Sequence, residues 1–370
     1  MNHIPERIEK LFSLKQLKFA GIAMLLSLLA LYVLSWVPQE PKTYSFENEP
    51  LVSIYAQEVK YNTPAFQAFL KELKSRKQPL ILGTSESVGL GGKNYTDYLN
   101  ADEKLKKEFA VFGGAGRRVD VFMPLMLSNP ELWKNQELIV FVNPIYWMDK
   151  LNKERGDYQF RYLHESFLYT MKSHSLAQEI EAYYAPDVLW KANQFLPFLS
   201  HIKNRTEALQ QLTGNLSDIA FIYQTRTSAI EVDPIEDLKK GINRTYNISQ
   251  YFYKHEKNLK LPEATEAKGF QFQIHDSFIQ LCKELEIDLT MVIGPYNALL
   301  ADALDQSDRK SNYEAAHEAF VQLLEANNTK TIDLWDLSYE PYAFIDYQHL
   351  SKYGAYKIYE RMKIHYEKVD

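Results

Sequence analysis

Short apolar runs that end in turn residues recur along most of the chain after residue 60. They lie at residues 79–83, 109–112, 137–142, 287–293 and 331–335. Each has the length of a buried strand, and helical patterns such as residues 312–325 separate most of them. Alternating β and α units predict an α/β fold, a three-layer α/β/α sandwich with a mainly parallel sheet.

The alternation stops between Asp149 and Glu286. This stretch is rich in Tyr, Phe, Leu, Lys and Glu and has few strand-like runs. We therefore predict one domain over residues 61–370, interrupted by a helical insertion at about residues 149–286.

A different pattern stands near the N-terminus, where residues 19–37 are apolar and uncharged. As a helix at about 1.5 Å per residue, this segment approaches the roughly 30 Å hydrocarbon core of a bilayer. It predicts a transmembrane helix, followed by a proline-containing linker over residues 38–60. A cleaved signal peptide and a buried core helix are the alternatives.

The charges on either side of this segment predict its orientation. Basic residues outnumber acidic ones in residues 1–18, whereas Glu40, Glu47 and Glu49 follow the apolar segment. The bias places residues 1–18 in the cytoplasm and the large domain outside the membrane, in the periplasm or the extracellular space.

Composition excludes several classes of protein. With 46% hydrophobic and 24% charged residues the chain is neither disordered nor collagen-like, and a mean hydropathy of -0.36 excludes a polytopic membrane protein. The net charge of -6 argues against a nucleic-acid partner. The single cysteine, Cys282, forms no internal disulfide, and the histidines show no metal-ligand spacing, so we predict no metal and no cofactor.

Small and polar residues that could take part in catalysis follow the predicted strands. They are Ser85, Gly113, Gly114, Asn143, Asp346 and His349. Because ligands of open α/β sheets bind outside the carboxyl ends of the strands, we expect these residues to share one edge of the sheet.

Three of these residues have the chemistry of a Ser–His–Asp triad. A serine such as Ser85 becomes nucleophilic when a base takes its proton, and Asp346 can orient His349 for that task from three residues away. Backbone N–H groups at Ser85 and at Gly113 or Gly114, with the Asn143 amide, are candidates for an oxyanion hole.

The same residues resemble the blocks of the SGNH/GDSL hydrolase superfamily. Gly83-Thr84-Ser85 is similar to its first block, with Thr where Asp is usual, and Asp346-x-x-His349 is similar to its last. A glycine of the second block corresponds to Gly113 or Gly114, and Asn143 corresponds to the asparagine of the third, although Gly-x-Asn-Asp is absent.

Within that superfamily the chain looks most like the DltD family of membrane-anchored proteins. The resemblance rests on the N-terminal anchor, Glu86 after the candidate nucleophile, the Pro-aromatic stretch at residues 143–147 and the late Asp-x-x-His. It implies acyl transfer or ester hydrolysis outside the cytoplasmic membrane on a cell-envelope glycan or teichoic-acid-like polymer. It also implies a membrane-bound O-acyltransferase as partner.

Simpler interpretations stay open at this point. Ser85 can be an ordinary helix cap, the Asp346/His349 pair a surface capping arrangement, and Glu86 a first-turn acid favoured by the helix dipole. Asp333 and Asp336 are alternatives to Asp346 as the orienting acid. At the level of function, the alternatives are an O-acyl esterase or deacetylase that releases the acyl group to water, and a non-catalytic scaffold for an acyltransferase.

Overall fold

The computed structural model describes the chain in separate stretches. They are residues 14–34, 46, 53–55, 64–88, 94–113, 118–119, 122–123, 126, 129–147, 222–224, 234–242, 244 and 270–367. The chain divides into two compact units. One comprises residues 1–42 and 179–218, and the other comprises residues 43–178 and 219–370. The sheet and the candidate site belong to the second unit.

In the first unit the structure describes one helix, α1, over Leu14–Leu34. Large apolar side chains along it, among them Phe19, Met24 and Leu25, are more than half exposed. No helix in the described stretches meets the length and apolarity needed to cross a membrane.

The second unit is built on a seven-stranded sheet. Its strands are β1 (Ser53–Tyr55), β2 (Leu80–Gly83), β3 (Ala110–Gly113), β4 (Glu137–Val142), β5 (Ile222–Gln224), β6 (Asp288–Ile293) and β7 (Lys330–Asp333). The order is β5-β1-β3-β2-β4-β6-β7, and only β5, at the edge beside β1, pairs antiparallel to its neighbour. The predicted α/β fold with a mainly parallel sheet is therefore confirmed.

Nine helices of the second unit lie among the described residues. They are α2 (Pro64–Arg76), α3 (Ser85–Val88), α4 (Tyr95–Ala101), α5 (Pro130–Trp133), α6 (Ile235–Lys239), α7 (Phe270–Glu284), α8 (Ala298–Ala303), α9 (Ser307–Ala326) and α10 (Lys352–Glu367). The described residues also include short 3-10 turns at Glu103–Leu105, Pro144–Tyr146 and Trp335–Tyr339.

Helices pack on both faces of the sheet because alternate strand residues point to opposite sides. Ile81 and Ile139 belong to a core cluster with residues of α4 and α10. On the other face Phe112 contacts Phe66 of α2, with ring centroids 4.9 Å apart. The central strands are buried on both faces, which explains why their sequences are continuous apolar runs rather than alternating ones.

The five apolar runs correspond to β2, β3, β4, β6 and β7, whereas β1 and β5 were not predicted from the sequence. Strand β5 and helix α7 both fall within residues 149–286, the range of the predicted helical insertion. The rest of that range, apart from α6 and its neighbours, lies outside the described residues, as do most of the 38–60 linker and residues 35–37.

Candidate active site

The turn that carries Ser85 follows β2 directly. Gly83 ends the strand, and a Cβ atom added there would lie 2.1 Å from Ser87 Oγ and 2.8 Å from Ser87 Cβ. Glycine is therefore required for α3 to begin this close to the sheet edge. Ser85 is the first residue of α3. Its side chain lies outside the part of the chain that the structure describes, so its role stays a prediction.

A hydrogen bond to α4 fixes the orientation of this turn. The Tyr95 hydroxyl donates to Ser87 Oγ over 2.9 Å, and both residues are fully buried. The Thr96 hydroxyl donates to the Ser87 carbonyl over 3.4 Å. The turn is thus attached to a helix that packs in the main core.

The Asp346/His349 segment lies between the 3-10 turn that follows β7 and the start of α10. Asp346 Oδ2 lies 2.6 Å from His349 Nδ1, and Asp346 Oδ1 accepts a hydrogen bond from the His349 backbone N–H over 2.7 Å. A bridge between Phe344 and Leu350 closes the segment. The predicted i, i+3 spacing therefore brings the carboxylate and the imidazole into direct contact.

This segment is held at the carboxyl end of β6. The backbone N–H of Asn297, the residue that caps α8 after β6, donates to the Tyr347 carbonyl over 3.0 Å. The Asn297 side-chain amide donates to the Asp346 carbonyl over 2.9 Å. His349 thus lies at the edge of the sheet where open α/β sheets bind ligands.

The two alternative orienting acids have other partners. Asp333 pairs with His317 over 2.8 Å, and Asp336 pairs with Arg361. Of these three acids, Asp346 is the one that contacts His349.

The hydrogen bonds of His349 indicate its tautomer. A carboxylate accepts hydrogen bonds, so Nδ1 carries the proton that faces Asp346, and in the neutral ring Nε2 is an acceptor. Gln348 Nε2 lies 3.0 Å from this nitrogen. The imidazole is therefore in the tautomer that a general base requires, with a neighbouring amide at its accepting nitrogen.

Asn143 joins the ends of two strands. Its Nδ2 donates to Glu86 Oε1 over 2.7 Å, and its Oδ1 accepts from the Ile145 N–H over 3.1 Å, so that it caps the 3-10 turn after β4. Both Asn143 and Glu86 are buried. The observed contact of the Asn143 amide is thus with Glu86, and its oxyanion role stays a prediction.

Burial raises the pKa of Glu86 to about 7, with the His349 charge lowering the pKa and the Asp346 charge raising it. The sequence favours a first-turn acid at Glu86. Its burial and its contact with Asn143 depend on tertiary packing, which leaves no local signal in the sequence.

Of the two glycines that are candidates for the oxyanion hole, the structure describes Gly113. Gly113 ends β3 and is in register with Gly83 at the same edge of the sheet. Gly114 lies outside the described residues. Which of the two N–H groups would face an oxyanion stays a prediction.

A cavity opens beside Asn143, and its lining includes Thr84, Arg118, Trp147 and His275. His275 is buried, with Nδ1 2.7 Å from the Gln271 carbonyl oxygen. None of these four residues is predicted as a site residue from the sequence. In the stretches that the structure describes, no group of three or more His, Cys, Asp or Glu side chains could hold a metal ion.

The fold and the site define a class: an α/β protein with a carboxylate–imidazole pair at the carboxyl ends of a parallel sheet. A family model, described as DltD protein, matches residues 235–367 of the chain. The match covers less than half of the chain and supports membership of the DltD family over those residues. No curated protein matches the chain.

Proposed function

We propose that the chain is a membrane-anchored, extracytoplasmic serine acyltransferase or esterase that acts on O-acyl groups of a cell-envelope polymer. The observation that carries the proposal is the hydrogen-bonded Asp346–His349 pair, which is held at the carboxyl end of β6. Strand β2, which Ser85 follows, ends at the same edge of the sheet. The DltD match covers the segment that contains this pair.

In the first half of the proposed reaction, Ser85 Oγ attacks the acyl carbonyl carbon while His349 Nε2 takes the hydroxyl proton. Asp346 stabilises the imidazolium that forms. The tetrahedral intermediate collapses as the C–O bond to the donor breaks, and His349 returns the proton to the leaving oxygen. The product is an acyl ester on Ser85.

The second half resolves this ester. A hydroxyl of the polymer loses its proton to His349 and attacks the acyl carbon, and the Ser85 oxygen leaves with that proton. Water in place of the polymer gives hydrolysis. Backbone N–H groups at the sheet edge would stabilise the negative oxygen in both halves, and one such donor contributes about 2.7–4 kcal/mol in enzymes of this kind.

Labelling with a fluorophosphonate probe tests this proposal. We expect the full chain to be labelled, and we expect labelling to be lost in Ser85→Ala and reduced at least about 100-fold in His349→Gln. Ser311→Ala, which changes an exposed serine of α9, is the matched control. Labelling that persists in Ser85→Ala overturns the proposal, and an unlabelled wild-type chain favours the scaffold function.

Product analysis separates transfer from hydrolysis. With an acylated donor and a polyol or glycan acceptor, a transferase gives acylated acceptor, whereas an esterase gives free acid whether or not the acceptor is present. The partner we propose is a membrane-bound O-acyltransferase, because the resemblance to the DltD family implies one. Co-purification of the full chain with such an enzyme tests that part.

Membrane attachment through residues 19–37 is part of the same proposal. The apolar side chains of α1 are exposed, and contiguous exposed apolar surface is typical of contact with lipid or protein. A cysteine introduced in the large domain should react with an impermeant maleimide in intact cells, and one introduced in residues 1–13 should not. The reverse pattern contradicts the proposed orientation.

A further inference from the structure

The cavity beside Asn143 adjoins the turn that carries Ser85. Thr84, the residue before Ser85, lines the cavity together with Asn143, which caps the 3-10 turn after β4. Strands β2 and β4 are parallel neighbours, so the residues that follow them lie at the same edge of the sheet. An acyl group attached to Ser85 would therefore have this cavity next to it.

Most of the cavity wall is apolar and closely packed. Its apolar members are Val119, Phe122, Val140, Phe141, Val142 and Trp147. The three aromatic residues among them, Phe122, Phe141 and Trp147, are each at most 4% exposed. Even with its open mouth the cavity measures about 310 Å³, which is the lower end of the roughly 300–1,000 Å³ of small-molecule sites. The space therefore favours a short apolar group over a long chain.

The polar side chains of the cavity wall include a cation but no acid. Arg118 is 7% exposed, and a guanidinium group stays charged at every physiological pH. Thr84 Oγ1 and Trp147 Nε1 are buried and have no hydrogen-bond partner among the described residues. None of the described residues that line the cavity is Asp or Glu. A positively charged group would therefore be buried next to a guanidinium with no carboxylate in the wall, which is unfavourable.

One acid, Glu86, contacts the wall from behind. Its Oε1 accepts a hydrogen bond from Asn143 Nδ2 over 2.7 Å, but Glu86 itself does not line the cavity. Burial raises the pKa of Glu86 to about 7, so its carboxyl group is only partly ionised at neutral pH. Its negative charge is therefore smaller than the positive charge of Arg118.

We propose that this cavity is the acyl pocket of the site and that it binds a short acyl group without a positive charge. The class comprises alkanoyl groups such as acetyl and propionyl, and hydroxyalkanoyl groups such as lactyl, and it excludes aminoacyl groups. The apolar wall buries the carbon chain, and a hydroxyl substituent would supply an acceptor for the unpaired donor of Thr84 or Trp147. This inference rests on the proposed function, since it assigns the acyl group to Ser85.

Three phenyl esters of the same chain length test the exclusion of positive charge. They are the esters of propionic acid, lactic acid and alanine, the last two in both enantiomers. Phenol release by the full chain at pH 7 gives kcat/KM, which is divided by the rate of the same ester with hydroxylamine to correct for its intrinsic reactivity. We expect the propionyl and lactyl esters to exceed the alanyl ester by at least about 10-fold. Equal corrected values, or a preference for alanyl, overturn the inference.

Substitution of Arg118 tests the origin of this selectivity. Arg118→Gln removes the charge from the cavity wall and should raise the ratio of alanyl to propionyl turnover several-fold. Arg361→Gln makes the same change in net charge at an exposed position of α10 and should leave the ratio unchanged. Equal ratios in the two variants contradict the role of Arg118. If Arg118→Gln does not fold, the ester series with the wild-type chain decides the inference.

Chain length tests the size of the pocket. From phenyl propionate to phenyl octanoate we expect the corrected kcat/KM of the wild-type chain to fall at least about 10-fold. Phe122→Leu removes part of the wall and should raise the ratio of octanoyl to propionyl turnover several-fold. Phe109→Leu, at a buried position before β3 that does not line the cavity, is the control. An octanoyl ester that reacts as fast as the propionyl ester contradicts a short acyl pocket.

Failure of this inference is distinguishable from failure of the proposed function. Fluorophosphonate labelling that is lost in Ser85→Ala reports on the nucleophile without any ester. A labelled wild-type chain that prefers the alanyl or the octanoyl ester keeps the proposed function and overturns the inference. A chain that is neither labelled nor active on any of these esters overturns both.

Discussion

His349 is held at both ring nitrogens by neighbours in the same short segment. Asp346 accepts at Nδ1, and Gln348 lies at Nε2 over 3.0 Å. Gln348 is itself buried, with its Oε1 unpaired among the described residues. The amide thus occupies the lone pair that a base would use to take a proton, and it stabilises the neutral form of the ring.

Replacing Gln348 should therefore make His349 a stronger and more accessible base. We expect Gln348→Ala to raise the His349 titration midpoint, because a hydrogen bond to the neutral form lowers it. The rate of fluorophosphonate labelling at pH 8 should rise several-fold. Gln322→Ala, at an exposed position of α9, is the control, and a slower reaction in Gln348→Ala would show that the amide assists the imidazole instead.

Two buried tyrosines give a matched comparison of hydroxyl groups. Tyr95 donates to Ser87 Oγ, whereas the Tyr313 hydroxyl is buried with no partner among the described residues. We expect Tyr95→Phe to lower the free energy of unfolding by about 1 kcal/mol and Tyr313→Phe to leave it unchanged or raise it. Denaturant unfolding of both variants measures this, and equal losses would contradict the pairing.

At the scale of elements, the sequence predicted the strands that are buried on both faces. Their continuous apolar runs mark β2, β3, β4, β6 and β7. Strands β1 and β5 are only three residues long, Ser-Ile-Tyr and Ile-Tyr-Gln, and no local pattern distinguishes them from loops. Their assignment depends on pairing with each other and with β3, which is a property of the folded chain.

The candidate site divides in the same way. The contact between Asp346 and His349 could be predicted because it depends on a spacing of three residues within one segment. The pairing of Glu86 with Asn143 spans 57 positions and joins the ends of two strands, so no local pattern indicates it. Contacts of this second kind decide which polar residue near a nucleophile is buried.

Helix α10 positions the His349 segment through a close backbone contact. A Cβ atom added at Gly354 would lie 2.0 Å from the Ala343 carbonyl oxygen and 2.8 Å from its carbon. The Ser351 N–H donates to the same oxygen over 2.9 Å. Because the obstacle is backbone rather than a flexible side chain, the helix can approach this segment only with glycine at this position.

Gly354→Ala should therefore separate α10 from the segment that carries His349. We expect it to lower the free energy of unfolding by about 2–3 kcal/mol and to reduce fluorophosphonate labelling. Gly21→Ala in α1, where an added Cβ meets nothing within 4 Å, is the control and should be neutral or slightly stabilising. Normal stability in Gly354→Ala would contradict the close approach.

At the scale of the whole molecule, the family match covers only some of the candidate site residues. The DltD match spans residues 235–367 and so includes β6, β7 and the Asp346/His349 pair, whereas Ser85, Glu86 and Asn143 precede it. The parallel sheet makes these parts neighbours, since β2 and β4 end at the same edge as β6. The candidate site is therefore assembled from the ends of several strands of one sheet. A polar group buried there, such as the Glu86 carboxyl, affects the stability of that sheet.

The effect of burying Glu86 on the stability of the fold can be measured as a function of pH. Burial raises its pKa from 4.5 to about 7, so the folded chain binds this proton more tightly than the unfolded chain. The free energy of unfolding therefore contains a contribution from Glu86 that is fully present at low pH. This contribution falls by about 3 kcal/mol in total as pH rises from about 4.5 to above 7. Glu86→Gln removes the titration, so its stability relative to the wild type should increase between pH 5 and pH 8 in denaturant unfolding, whereas Glu325→Gln should show a constant difference. Parallel curves for wild type and Glu86→Gln would mean that Glu86 ionises in the folded chain as easily as it does in water.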